Sequence, residues 1–210
     1  MIVLLLLTLS VYLISRLTIK EIFIFFRKFI STSPLIYIIL SLIYLPGTVV
    51  HESAHFITAL LLLLPVQSMS IFPSFSENEI KLGEVKFIKR DFLRGILVGI
   101  APFFFSLTLL SAIFIYHIFP NTNLWLNILF GYLIFSISSN MFSSSKDLEG
   151  IVLLVPLIIL AFIIFYVFDI RLNLYSFNNL LGKINYYLIF VLVINLFFFL
   201  VFKVINRYKR

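Results

Sequence analysis

Long apolar runs, broken by short polar or basic punctuation, dominate this chain. The first covers residues 1–19 and predicts a retained membrane span, since no basic segment precedes it and no small-x-small cleavage pattern comes before Arg16 and Lys20. From 20 to 30 the pattern turns amphipathic, with Arg27 and Lys28 among phenylalanines, as in a helix lying at a membrane interface. Ser31-Thr32-Ser33-Pro34 then reads as a helix start with proline in the first turn. The apolar run 35–64 would form a helix of ~45 Å, longer than a ~30 Å hydrocarbon core, and Pro46-Gly47 is the natural place for it to break.

Between Val66 and Asp91 the period changes. Residues 69–72 and 79–88 alternate polar with apolar around Pro73, Asn78 and Gly83, which predicts strands. Helical character then returns. No formally charged residue occurs from 95 to 145, and Pro120-Asn121-Thr122-Asn123 divides this region into spans at 92–119 and 124–141. Further spans are expected at 151–168 and 184–202. The pattern therefore predicts an all-α polytopic membrane protein of about six transmembrane helices, with a small β-hairpin between the second and third. Its organisation would be an N-terminal span and interfacial segment at 1–33, a membrane core at 34–168 with the hairpin at 66–91, and a polar loop, C-terminal span and basic tail at 169–210.

Composition agrees. Hydrophobic residues make up 62% of the 210 positions and charged ones only 12%, half the roughly 25% of a soluble domain. The net charge of +7 does not point to nucleic acid. The bases sit between apolar runs and at the C-terminus (Lys203, Arg207, Lys209, Arg210), where they would meet the anionic headgroups of a bilayer, most simply the cell membrane. Their distribution favours a cytoplasmic hairpin and C-terminus, which leaves the bases from Arg16 to Lys28 on the opposite side. Cysteine is absent, so any metal must be held by histidine and carboxylate.

Candidate chemistry is concentrated in His51-Glu52-Ser53-Ala54-His55. Histidines four apart on a helix project from one face one turn apart, and can share a tetrahedral zinc. Glu52 is then placed to act as general base toward a water activated there. Ionisable groups inside a membrane helix cost at least ~2.5 kcal/mol each on insertion scales and usually mark function. Such a site needs a third protein ligand. Asp147, at the start of the fifth span, leads the candidates, with Glu149 and His117 as alternatives. Asn140 is a candidate donor to a substrate or oxyanion, and Ser136, Ser138, Ser139, Ser143, Ser144 and Ser145 are candidates to line a path for water.

Val50-His51-Glu52-Ser53-Ala54-His55, the loose Gly99-Ile100-Ala101-Pro102 and Ser139-Asn140 followed by Asp147-Leu148-Glu149-Gly150 resemble, in that order, elements of the site-2 protease family of intramembrane zinc metalloproteases. The resemblance covers about residues 46–168. It departs from the family where Phe103 to Ser106 follow Pro102, and where serines stand between Asn140 and Asp147. It implies one zinc per chain held by His51, His55 and Asp147, with Glu52 as base, and a substrate that is itself a membrane protein with a transmembrane segment. The hairpin would pair with an extended substrate by strand addition. Rival readings are a non-proteolytic metal-binding membrane protein, a small transporter, and a zinc hydrolase acting on a non-peptide bond in lipid.

Overall fold

The computed structural model describes residues 2–72, 74–75, 80–81, 83–141, 160, 163–165, 167–168 and 174–208. Helix α1 spans Ile2–Arg27 and joins the expected first span and the expected interfacial segment in one continuous helix. Its two faces explain why. Leu6, Leu9, Leu13 and Leu17 point outward, whereas Val11, Ser15, Thr18 and Ile22 are buried. A leucine stripe faces out, while Thr8, Ser15 and Thr18 face in beside Val11 and Ile22, a distribution suited to hydrocarbon. The charges are accommodated without ending the helix. The Arg16 guanidinium lies over the Tyr12 ring at 5.4 Å and that of Arg27 over Phe23 at 6.0 Å.

The helix that continues the expected run 35–64 does break. Helix α2 (Ser33–Ile43) and helix α3 (Leu45–Leu61) meet at Tyr44 with a bend of 73°. Pro46 sits in the first turn of α3, where a missing N–H costs nothing. The N–H of Gly47, one of the donors that a helix start leaves without an internal partner, donates to Ser136 Oγ at 2.9 Å. Ser136 lies on helix α5, Leu124–Ser139. The approach is so close that a Cβ at Gly47 would collide with the Ser136 carbonyl oxygen and the Asn140 side chain.

The expected hairpin is present. Strand β1 (Val66–Ser70) pairs antiparallel with β4 (Glu84–Phe87), and between them β2 (Ser74–Phe75) pairs with β3 (Ile80–Lys81). The N–H of Ile88 donates to the Pro65 carbonyl at 3.0 Å and closes the base of the hairpin. Helix α4 (Phe92–Ile115) follows at once. The Asp91 carboxylate caps it by accepting from the Arg94 N–H at 2.8 Å, and Arg94 reaches back to the Leu62 carbonyl beyond the end of α3 at 3.1 Å. Those bonds set α4 beside α3.

The final helix, α6 (Leu174–Tyr208), packs along α1. Val11 and Val191 share a core cluster, Phe25 meets Phe202 with ring centroids 5.6 Å apart, and Asn206 Nδ2 donates to Glu21 Oε2 at 2.7 Å. Positions advance together, so the two helices run parallel, and Arg27 and Lys28 share an end with Lys203 and Arg207. That corrects the expectation that these basic groups lie on opposite sides. Six transmembrane helices are likewise not what the described residues contain. Two helices, Phe92–Ile115 and Leu181–Tyr208, are long and apolar enough to cross a membrane, or three spans if the bent pair is one. The span expected at 151–168 falls mostly outside the described residues.

Gly47→Ala is expected to destabilise the protein by about 1–3 kcal/mol, because the new methyl meets backbone rather than a yielding side chain. Thermal unfolding in detergent or nanodiscs reads this, and a variant that melts with the wild type would contradict the packing.

Candidate metal centre

His51 and His55 lie one turn apart on α3, as their spacing predicts, with ring centroids 4.7 Å apart and planes at 86°. His51 is buried at 2% exposure. Each ring is held by a backbone carbonyl. The Nδ1–H of His51 donates to the Asn140 carbonyl at 2.7 Å, and that of His55 to the Val98 carbonyl at 2.8 Å. A carbonyl can only accept, so in both rings the proton belongs on Nδ1. The Nε2 atoms are then turned on each other at 3.1 Å.

Neither carbonyl is there by chance. Four residues after Val98 comes Pro102, inside α4. Proline has no N–H to return to that carbonyl, which is left open for a donor from outside the helix. Asn140 follows the last residue of α5 as its C-cap, where carbonyls also lack internal partners. Two interrupted helices thus supply the acceptors that orient the two imidazoles.

The pair places two of the donors that a zinc ion would take. Two imidazoles that turn their Nε2 atoms toward one another, each with Nδ1–H anchored on a carbonyl, have the orientation that second-sphere partners give to metal-ligating histidines. Two nitrogens on a tetrahedral zinc at ~2.0–2.1 Å lie about 3.3 Å apart, close to the 3.1 Å found here. Among the described residues no third His, Asp or Glu joins the pair. Asp147 and Glu149 lie outside those residues. His117 is described and lies elsewhere. It follows the end of α4, in a left-handed conformation at φ 52°, and is exposed. Nineteen residues of mostly helical chain separate it from Val98, roughly 28 Å along α4, so it does not reach the histidine pair.

Glu52 is buried on the same helix, at 4% exposure. Above it lies Gly83, between β3 and β4: a Cβ there would fall 2.7 Å from Glu52 Cγ and 2.8 Å from its Oε1. The hairpin therefore covers the carboxylate, and a side chain at position 83 would have to displace it. Asn140 lies at the junction of α3 and α5. Its Nδ2 donates to the Ser136 carbonyl at 2.9 Å and more weakly to that of Tyr44 at 3.4 Å, and its carbonyl serves His51. Of the serines expected to line a water path, Ser136, Ser138 and Ser139 are buried in contacts between helices, and Ser143, Ser144 and Ser145 lie outside the described residues.

Sequence reasoning missed Val98 and Gly83. Pro102 carried a signal for the first, since a proline in a membrane helix frees the carbonyl four residues earlier. No comparable signal marked the second. Compared with protein-family models, curated proteins and solved structures, the chain matches none.

Pro102→Ala would return an N–H to the Val98 carbonyl and draw it away from His55. Helix stability is expected to hold or rise, while metal affinity falls about tenfold or more, as for other outer-sphere partners. Paired melting and zinc-competition measurements check the opposed signs; unchanged affinity would contradict this role for Val98.

Proposed function

We propose that the chain is an intramembrane zinc metalloendopeptidase of the site-2 protease type, multi-pass in the cell membrane, which hydrolyses peptide bonds in the transmembrane segments of other membrane proteins. The observation that carries this reading is the histidine pair, with both Nδ1–H groups committed to carbonyls and both Nε2 atoms converging. His51 and His55 would hold one zinc per chain, with Asp147 as third ligand. The chain leaves α5 at Asn140 and Met141 beside His51, a few residues before Asp147. When bound, the metal lowers the pKa of a coordinated water and polarises the scissile carbonyl.

Glu52 takes the proton from the attacking water and returns it to the leaving nitrogen. Its burial beneath Gly83 keeps the carboxylate away from bulk solvent. The β1–β4 ladder is two-stranded, so each strand keeps one edge its partner does not use. An edge of this kind could hold a substrate segment in extended form, which an unwound transmembrane helix requires before its amide is open to attack. Asn140 is not assigned the oxyanion, because its amide and carbonyl are already engaged between α3 and α5.

The test is zinc content and cleavage of a co-reconstituted transmembrane reporter by the full chain. About one zinc per chain is expected in wild type and Glu52→Gln, and loss in His55→Ala and Asp147→Ala. Cleavage should fall at least 10²-fold in Glu52→Gln. Pure, folded wild type without zinc would sink the proposal. A wild type that holds zinc yet cleaves no reporter would favour a non-proteolytic metal-binding protein.

A further inference from the structure

Asn195 lies in the middle of the apolar part of α6 and is fully buried. A primary amide at such depth has little reason to be there unless it is satisfied. It is satisfied completely. Its Nδ2 donates to Ser138 Oγ at 2.7 Å and to the Val191 carbonyl at 3.0 Å. Its Oδ1 accepts from Ser139 Oγ and from Ser15 Oγ, both at 3.2 Å. Two donors and two acceptor positions are all that an asparagine side chain has.

The partners are unequal. Ser15 shares its one hydroxyl hydrogen with the Val11 carbonyl of its own helix at 2.7 Å, so the bond from α1 is the weaker claim. Ser138 and Ser139 form the last turn of α5 and immediately precede Asn140. The principal grip of Asn195 is therefore on the two residues before the carbonyl that receives His51 Nδ1.

We infer that Asn195 is a positioning residue for the candidate metal centre: by holding Ser138 and Ser139 it fixes the height and direction of the Asn140 carbonyl, and through that carbonyl the orientation of the His51 ring. The inference rests on the reading of His51 and His55 as metal ligands. It extends the centre to a helix outside the region of family resemblance. Simple helix-to-helix adhesion would use the same bonds, but it would leave the electronic environment of a bound metal unchanged.

The test uses the full chain in nanodiscs, titrated with cobalt(II), whose visible absorption bands report ligand geometry. Asn195→Leu is expected to bind cobalt about tenfold more weakly or worse, with shifted bands. Ser138→Ala, which removes the shortest bond, should move both readouts in the same direction by less. Ser15→Ala should match the wild type. If Asn195→Leu does not fold, Ser138→Ala decides alone. Wild-type affinity and bands in Ser138→Ala, or in a folded Asn195→Leu, overturn the inference while His55→Ala still abolishes binding. Failure of the wild type to bind cobalt instead overturns the metal reading and this inference with it.

Discussion

A carbonyl that a membrane helix cannot satisfy must find a donor from another element, because hydrocarbon offers none. Two such carbonyls organise the centre of this protein. Val98 is opened by Pro102 within α4, and Asn140 caps the end of α5. Each is met by a histidine Nδ1–H from α3. The same two bonds that remove a cost of several kcal/mol from the backbone dictate the tautomer and direction of both rings. Stability and site geometry therefore share their interactions. Weakening either acceptor should disturb both at once, except where, as at Pro102, the helix gains what the histidine loses.

The surrounding helices make those bonds possible by approaching closely. Gly47 removes the side chain that would hold α3 off α5, and Ser136 uses its hydroxyl to meet the donor that the start of α3 leaves open. Gly83 does the same for the hairpin over Glu52. Small residues and hydroxyls sit at these contacts between helices, beside core clusters that include Ile22, Leu110, Phe114, Phe135 and Leu188, while further leucines and isoleucines face outward. With lipid as solvent there is no hydrophobic reward for bringing two helices together, so contact depends on close packing and satisfied polar groups.

Much of this was legible in the sequence. Spacing placed His51 and His55 on one face, Pro46-Gly47 marked the break, and alternation between Val66 and Asp91 marked the hairpin. Each depends on chemistry within a few residues. The span ends were less legible, because one span was expected to stop before Lys20 and another before Lys203. Arg16 and Lys203 instead lie over aromatic rings of their own helices, and α1 and α6 continue past such residues. The work of Asn140 and the serines was hidden for another reason. Whether a hydroxyl or amide faces a water path or a neighbouring helix depends on which helix lies opposite, and local sequence does not specify that. The third ligand, expected at Asp147, falls outside the described residues.

X-ray absorption at the zinc edge of the purified, zinc-loaded protein tests the central claim most directly. Two imidazole nitrogens at ~2.0–2.1 Å, completed by oxygen ligands in a four-coordinate shell, are the result that converging Nε2 atoms predict. A spectrum without imidazole scattering would contradict it, and would leave the pair as histidines whose bonds serve only to join α3 to α4 and α5.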